Sequence, residues 1–379
     1  MKRHQLQNTV RLVLPPTVYS VPGHEINMYF DNIILTPNIK NYLFDVDCKY
    51  GRQDADRWRF VAEPADVGSF PLSIKVFDCN DKLVAEASTT VHVSPPDAGD
   101  ERNISIMLVG DSITDSRLDD NGNYSVYPKT LFDLFKSEGP AGVKFIGCHR
   151  GLGLQSCPDR PNHEGRAGWS WSAYCTILSA ENTYGLYRHA SPFLTLKKGK
   201  PTLDFKSYCD KYNEGNAPDY ITIMLGTNDV FDATDATIEA CIDGMFKYAD
   251  MLIAEFKRVG PDTKVAIALI IPPAASQDAF GSDYKCGQTR WQFRKNQHRV
   301  VERLIQKLDG EDKNNISIIP VFLNIDCANN FPKQEEPINS GNCGKIIRDC
   351  DALHPAFTGY KQIADSFYLW FKHEFSNIK

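Results

Sequence analysis

Three short polar segments carry residue types that can act together as a nucleophile, a base and an oxyanion donor. GDS (110–112) follows an apolar run, GTND (226–229) follows another, and DALHP (351–355) stands near the C-terminus. A serine hydroxyl attacks a carbonyl when a base takes its proton and a third group orients that base. The three segments therefore indicate nucleophilic acyl transfer.

Ser112 is the candidate nucleophile. A serine at the end of a strand, where a helix begins, has its oxygen exposed and its backbone N–H unpaired. Such a serine can supply both the attacking oxygen and one oxyanion donor. Taken alone, Ser112 is better explained as a helix N-cap, since serine is favoured there, and the candidate role depends on its neighbours.

The candidate base and its orienting group are His354 and Asp351, three residues apart. On a single turn the carboxylate can reach one ring nitrogen, which leaves the other nitrogen to accept a proton. Asn228 can direct its side-chain amide at a developing oxyanion, and Gly226 lets a substrate approach the backbone. Read alone, Asp-x-x-His is a surface turn and Gly-Thr-Asn-Asp is ordinary turn chemistry.

A fourth segment, NHEGRAGWSW (162–171), is a glycine-containing loop with two tryptophans. Gly165 can offer a backbone N–H, although Gly168 stands only three residues later and either glycine fits. Trp169 and Trp171 can form an apolar wall, or they can be packing anchors.

Together these segments resemble the four sequence blocks of the SGNH (GDSL-type) hydrolase superfamily, from about residue 104 to the end of the chain. The resemblance implies an α/β fold, with a flavodoxin-like three-layer α/β/α domain around a parallel sheet. It also implies the roles of nucleophile for Ser112, general base for His354 and orienting group for Asp351. The implied oxyanion hole consists of Ser112, Gly165 and Asn228. EGRAGW also resembles the second block of acetyl esterases that act on acetylated sugars.

The elements that must position these residues change in character along the chain. Residues 1–98 show period-two alternation in short runs, which predicts a small all-β sandwich (Ig-like) accessory domain. The predicted strands lie in INMYFDNIIL, YLFDVDC, RWRFVAE, PLSIKVFD and LVAEASTTVHV. SPPDAGDERN (94–103) has turn residues and charges with nothing to bury, and it is the predicted linker.

From residue 103 to 379 apolar strands alternate with helical patterns, which predicts a hydrolase domain with a parallel sheet between helix layers. The predicted strands lie at 104–109, 143–147, 219–225, 264–271 and 316–322, and helical periodicity covers 238–260, 296–310 and 359–375. In such sheets ligands bind beyond the carboxyl ends of the strands, where Ser112 and Asn228 stand.

Composition and motifs exclude several classes of function. A net charge of -6 gives no reason to expect nucleic acid or an anionic membrane as a partner. No apolar run approaches the ~20 residues of a membrane span, and no GxSxG elbow occurs. His149, His163 and His189 lack ligand spacing, so we expect no metal and no cofactor. Homo-oligomerisation stays possible.

The cysteines favour a reducing compartment. Their number is odd, at 11, and none forms a CxxC pair. The N-terminal segment lacks an apolar stretch of signal-peptide length, so we predict a cytoplasmic protein. A secreted protein that has lost its leader is the alternative.

The candidate substrate is a small-molecule or oligosaccharide ester. Arg166 and Trp169 can contact sugar hydroxyls and rings, and Tyr284, Arg290 and Trp291 follow another strand end on the opposite side. The long connection 178–217, rich in aromatic residues, is a candidate lid or substrate wall. We expect an esterase that removes acetyl groups. The alternatives are a lipase, thioesterase or lysophospholipase, and an inactive glycan- or protein-binding module.

Overall fold

The computed structural model describes residues 10–115, 126–150, 160–178 and 190–377. In these ranges no helix has both the length and the apolar character needed to cross a bilayer.

The first part of the chain folds mostly into short strands. Its elements are β1 (Arg11–Leu12), β2 (Thr17–Ser20), β3 (Glu25–Tyr29), α1 (Phe30–Ile33), β4 (Ile34–Leu35), β5 (Leu43–Cys48), β6 (Arg52–Gln53), β7 (Arg57–Val61), β8 (Gly68–Phe77) and β9 (Leu83–Val93). One sheet has the order β2-β9-β8-β5 and a second has the order β3-β7-β6, while β1 pairs with β4. The sheets meet where the rings of Phe60 and Phe70 pack 5.7 Å apart.

Alternation in the sequence corresponds to burial in this part. In β8, Leu72, Ile74 and Val76 are fully buried, and the strand pairs antiparallel with β9 around the turn at 78–81. The strand predicted within INMYFDNIIL is present as β3, but the segment also contains α1, which the sequence did not predict. The Asn32 amide in α1 donates to the carbonyls of Phe322 and Ile325, 2.8 Å each, which ties this turn to the second part of the chain.

The second part alternates strands and helices. Its elements are β10 (Asn103–Gly110), α2 (Ser112–Asp115), α3 (Tyr127–Glu138), β11 (Gly142–Ile146), β12 (Glu164–Gly165), α4 (Trp171–Thr176), β13 (Leu194–Lys197), β14 (Lys200–Leu203), α5 (Phe205–Tyr212), β15 (Tyr220–Met224), α6 (Ile238–Val259), β16 (Lys264–Ala268), α7 (Gln277–Tyr284), α8 (Arg290–Leu308), β17 (Ile316–Ile319), β18 (Lys333–Asn339), β19 (Asn342–Asp349) and α9 (Phe357–Ser376).

The main sheet of this part is parallel and has the order β11-β10-β15-β16-β17, with β12 paired to the end of β10. In terms of its five main strands this is the flavodoxin-like order 2-1-3-4-5. Helix α3 packs against α9, while α6 contacts α4, α5 and α8. The predicted α/β fold is confirmed, and so is the mainly β character of the first part.

Helix boundaries follow capping chemistry. Helix α6 ends before Gly260, as the sequence predicts. Helix α8 begins at Arg290, ahead of the predicted start at 296, because the Thr289 side chain accepts the Gln292 N–H and caps it.

Several contacts between the first and second parts are polar. The guanidinium of Arg294, on α8, is 3% exposed and donates to the carbonyls of Asp31 and Asn32. Arg290 forms an ion pair with Asp31 at 2.9 Å, and Lys372 on α9 donates to the Ala98 carbonyl at 3.0 Å. These bonds hold the mainly β first part of the chain against helices α8 and α9 of the second part. The division into domains at 98–103 stays a prediction.

Candidate active site

The polar segments meet at the carboxyl edge of the main sheet. In the register of the parallel strands, Gly110 at the end of β10 is paired with Met224 at the end of β15 and with Gly165 of β12. The turns that follow, with Ser112 and Asn228, therefore lie beside each other.

A continuous chain of hydrogen bonds joins Ser112, His354 and Asp351. Ser112 Oγ lies 2.8 Å from His354 Nε2, and His354 Nδ1 lies 3.2 Å from Asp351 Oδ1. Asp351 is buried, whereas the His354 side chain is 27% exposed. Asp351 Oδ1 also accepts the backbone N–H groups of Leu353 and His354, which fixes the carboxylate on its turn. This arrangement can deprotonate a serine hydroxyl.

The turn that carries Ser112 is built by its neighbours. Asp111 Oδ1 accepts the Ile113 N–H at 2.9 Å, and the Asp111 carbonyl accepts the N–H of Thr114. The Ser112 N–H makes no hydrogen bond within the described ranges. Gly110 has no space for a side chain, because a Cβ there would lie 2.0 Å from Thr114 Oγ1. The serine is thus presented on a tightly packed turn with its own N–H available.

The Asn228 amide faces two acceptors, one at short range and one at long range. Its Nδ2 donates to the Trp169 carbonyl at 2.9 Å, and Asp111 Oδ2 lies at the outer limit of hydrogen bonding, 3.5 Å away. Because a carboxamide carries two donor hydrogens, the second can serve an oxyanion.

The two glycines of the second block have different surroundings. The Gly165 N–H donates to His163 Nδ1 at 3.0 Å, and a Cβ on Gly165 would lie 2.5 Å from the Asp115 backbone nitrogen. Gly168 has a φ of +76°, open space around it and an N–H without a partner in the described ranges. The expectation that Gly165 is an oxyanion donor therefore disagrees with the structure, since its N–H is already used. Gly168 is the glycine with a donor to offer.

Two buried carboxyl groups, Asp111 and Asp229, support the turns. Burial, reinforced by nearby Asp111, raises the pKa of Asp229 to about 7. Burial also raises the pKa of Asp111 to about 6. Asp229 accepts the Trp171 N–H at 3.2 Å and so anchors the first turn of α4.

The raised pKa of Asp229 predicts a pH-dependent contribution to stability. From about pH 4 to pH 7 the unfolded chain carries an ionised Asp229 while the folded chain keeps it protonated, so this contribution is lost as pH rises. Asp229→Asn keeps an acceptor for Trp171 without the charge. We expect the variant to gain several degrees in Tm relative to wild type between pH 5 and pH 8, measured by thermal melting.

Asp235→Asn is the matched control for this measurement. The Asp235 carboxylate is paired with Lys295, which lowers its pKa. It is ionised in both states between pH 5 and pH 8, so the control should show a constant difference in Tm from wild type. Parallel curves for Asp229→Asn and wild type would contradict the prediction.

Arg166 is not placed to contact a substrate. Its guanidinium is 3% exposed and forms an ion pair with the fully buried Glu164 at 2.7 Å. It also donates to the Gly165 carbonyl and to Cys148 Sγ. The prediction that Arg166 recognises sugar hydroxyls is therefore wrong, because the side chain is used inside the protein.

The tryptophans of the second block pack in the core. Trp169 is 4% exposed, with its ring 4.8 Å from that of Tyr174, and Trp171 is fully buried. A sugar-contacting role for Trp169 is thus contradicted, since almost none of its ring is accessible.

The described part of the predicted lid, residues 190–217, is an ordered layer rather than a cover. Phe193, Phe205 and Tyr208 are buried, and the Phe193 ring packs 5.1 Å from Phe256 of α6. The remainder of the predicted lid, including Tyr184 and Tyr187, lies outside the described residues.

The other three predicted substrate-binding residues, Tyr284, Arg290 and Trp291, differ in their surroundings. Arg290 is engaged with Asp31 and with the Ala274 carbonyl, so it is a contact between the two parts of the chain and not a substrate residue. Tyr284 is half-buried and its ring packs 4.8 Å from Phe231. Trp291 is half-buried on the first turn of α8, and its contact with substrate stays a prediction.

Sequence spacing did not show that His149 and His163 are neighbours. Their backbones form a bridge, and their rings lie 5.3 Å apart. Burial lowers the pKa of His163, which fits a neutral ring accepting the Gly165 N–H. In the described ranges no group of three or more His, Cys, Asp or Glu side chains could hold a metal ion. His189 lies outside the described residues.

The sequence analysis missed two features that adjoin the Asp351–His354 segment along the chain. Phe357, at the start of α9 and three residues after His354, is 45% exposed. The hairpin of β18 and β19 is almost entirely exposed and leads directly into the segment with Asp351. The turn sequence INSGN between two polar runs could have predicted the hairpin. An aromatic residue soon after His-Pro could have pointed to Phe357.

Comparisons with known proteins place the chain among ester hydrolases. The family model GDSL-like lipase/acylhydrolase matches residues 106–367. No curated protein matches the sequence.

Several solved structures are similar. A family 3 carbohydrate esterase of Clostridium thermocellum has 19% identity and a TM-score of 0.41, covering 70% of this chain and 94% of its own. A family 3 carbohydrate esterase of Talaromyces cellulolyticus has 16% identity and a TM-score of 0.43, covering 73% and 100%. The acetylxylan esterase Axe2 of Geobacillus stearothermophilus has 13% identity and a TM-score of 0.38, covering 74% and 97%.

Proposed function

The chain belongs to the GDSL-like lipase/acylhydrolase family and is a carboxylic ester hydrolase; from this premise we propose that it removes small acyl groups, chiefly acetyl, from carbohydrate. The observation that carries the proposal is the hydrogen-bonded chain from Ser112 through His354 to Asp351. Its middle member, the His354 imidazole, is partly exposed at the edge of the sheet, whereas Asp351 is buried.

The proposed reaction proceeds through an acyl-enzyme. Ser112 Oγ attacks the ester carbonyl while His354 Nε2 takes its proton, and Asp351 stabilises the imidazolium that forms. His354 then gives that proton to the departing sugar oxygen. In the second half, His354 takes a proton from water, the water attacks the acyl-enzyme, and acetate leaves as Ser112 regains its proton.

The proposed oxyanion hole has three donors. They are the Ser112 N–H, the second amide hydrogen of Asn228 and, in place of Gly165, the Gly168 N–H. The Trp169 carbonyl accepts the Asn228 amide, and this supports Gly168, one residue earlier in the chain, as a neighbour of that amide. Each such donor contributes about 10²- to 10³-fold to kcat.

The proposal of a small acyl group draws on the exposed apolar side chains that neighbour the site residues along the chain. Of the exposed large hydrophobic side chains in the described ranges, only Phe357 stands within five residues of Ser112, Asn228 or His354. One aromatic ring suits stacking on a sugar, whereas a long acyl chain needs a continuous apolar groove. The neighbouring Ile113, like Trp169, is buried in the core.

The test is the dependence of rate on acyl chain length. Purified protein is assayed with 4-nitrophenyl acetate, butyrate and octanoate, and acetate release is followed from acetylated xylo-oligosaccharides. We expect kcat/KM to fall at least about tenfold from acetate to octanoate, because a site shaped for a small acyl group gains nothing from extra methylenes.

Other results of the chain-length assay would support the alternative functions. Rates that rise toward octanoate would identify a lipase, thioesterase or lysophospholipase. Turnover of no ester above a buffer blank, in protein that melts cooperatively, would favour a binding module and overturn the proposal.

A further inference from the structure

A fully buried carboxylate joins the nucleophile turn to the second-block loop. Asp115 lies three residues after Ser112 on the same short helix and has no exposed surface. Its Oδ2 accepts the backbone N–H of Ala167 at 3.1 Å. Ala167 immediately precedes Gly168, so the bond acts on the peptide next to the proposed oxyanion donor.

The second oxygen of this carboxylate is held as well. Asp115 Oδ1 lies 2.6 Å from Nε2 of His149, whose side chain is 5% exposed. The backbone of His149 is itself fixed by two hydrogen bonds with that of His163. With a donor on each oxygen, the carboxylate has a defined orientation.

Three bonds join the backbone of residues 166–169 to the strand, helix and turn around it. The Arg166 N–H donates to the Gly110 carbonyl at 2.9 Å, the Ala167 N–H donates to Asp115, and the Trp169 carbonyl accepts from Asn228. Gly168 lies between the second and third of these bonds. Of the three, only the bond to Asp115 depends on a side chain of the helix that carries the nucleophile.

We propose that Asp115, held by His149, is a positioning residue that sets the Gly168 N–H in the oxyanion hole relative to Ser112. The proposal rests on the proposed function and deepens it. Asp115 touches neither substrate nor reacting atoms, and it acts through the Ala167 peptide.

The expected effect lies on the rate of chemistry rather than on substrate binding. Oxyanion donors stabilise charge that develops only in the transition state, so misplacing one lowers kcat and leaves KM nearly unchanged. Deleting a donor costs about 10²- to 10³-fold in kcat, and displacing one costs less. For Asp115→Asn we expect a loss of about 10- to 100-fold in kcat, with KM within about twofold.

Asn is suited to this test because its shape matches Asp while it carries one acceptor oxygen instead of two. If that oxygen accepts from His149, the Asn amide faces the Ala167 N–H as donor against donor. If it accepts from Ala167, the amide can bond to His149 only when the ring changes to the tautomer that accepts at Nε2. Rates with 4-nitrophenyl acetate are expressed per active site, counted by complete labelling with a fluorophosphonate. This counting removes any effect of misfolded protein.

A second readout reports on the oxyanion hole directly. A trifluoromethyl ketone adds to the serine and forms a tetrahedral oxyanion, so its Ki should rise in the same proportion as kcat/KM falls. A purely structural role would lower Tm and the number of labelled sites, while kcat per labelled site and Ki would stay at wild-type values.

A matched pair at His149 keeps the test decisive if Asp115→Asn does not fold. In His149→Gln the amide can donate to Asp115, and we expect kcat within about threefold of wild type. In His149→Leu the donor is absent, and we expect a loss of about tenfold or more.

Failure of this inference differs from failure of the proposed function. An active wild type, with Asp115→Asn and His149→Leu both unchanged in kcat and Ki, would overturn the positioning role alone. A fall in kcat per site without a rise in Ki would also overturn it, since the oxyanion hole would be intact. A wild type without esterase activity would overturn the proposed function.

Discussion

Ser112→Ala is expected to lower kcat for 4-nitrophenyl acetate by about 10⁵-fold or more. The hydroxyl 2.8 Å from His354 Nε2 is the candidate nucleophile, and alanine leaves no atom that can form the acyl-enzyme. The small side chain should leave the fold intact, because the neighbouring Asp111 bonds that build the turn do not use the serine hydroxyl. Fluorophosphonate labelling should disappear together with the activity.

Ser105→Ala is the matched control, since Ser105 lies on the same strand, β10, at the opposite end of the sheet. Its hydroxyl bonds to Asp219 at 2.7 Å, far from the carboxyl edge. We expect near wild-type kcat and full labelling in the control. Equal rates for Ser112→Ala and wild type would show that another residue is the nucleophile.

The proximity of Ser112, Asn228 and His354 could be predicted from the sequence, while their catalytic roles stay predictions until rates are measured. Two of them follow apolar runs, and parallel strands place such ends at one edge of a sheet. Asp351 could be placed beside His354 because a separation of three residues on one turn brings the side chains together. Local spacing and sheet topology are sufficient for this part of the site.

Side chains with long-range partners could not be predicted in the same way. The sequence predicts Arg166 and Arg290 at the substrate, because exposed guanidinium groups bind hydroxyls. Each is instead paired with a carboxylate, Arg166 with Glu164 and Arg290 with Asp31. Spacing along the chain does not show that Asp31 reaches helix α8. For the same reason the pairing of His149 with Asp115 has no local signal.

The fold was predicted best where periodicity was regular. The alternation of β8 and β9 and the helical pattern of α6 correspond closely to the observed elements. The segment at 26–35 has strand-like composition, but the buried bonds of Asn32 pull it into a helical turn, and tertiary contacts override propensity there. The β18–β19 hairpin is polar and exposed on both faces, so no alternation of hydrophobic residues marked it.

The second large effect is expected for Asp351→Asn, which should lower kcat by about 10²- to 10⁴-fold with KM nearly unchanged. Asp351 Oδ1 accepts from His354 Nδ1 and from the backbone N–H groups of Leu353 and His354. Three donors around one atom require an oxygen there, so the Asn side chain should adopt the same orientation. The ring tautomer is then preserved, and the loss measures the negative charge that stabilises the imidazolium.

Asp351→Ala separates charge from orientation, because it removes the acceptor as well. If the tautomer and ring position matter, Asp351→Ala should be slower than Asp351→Asn, both measured as kcat per site after complete fluorophosphonate labelling. Equal rates for the two variants would mean that charge alone accounts for the role of Asp351. A loss below about tenfold in both would show that Ser112 and His354 act as a dyad, since a carboxylate that stabilises a fully formed imidazolium contributes more than that.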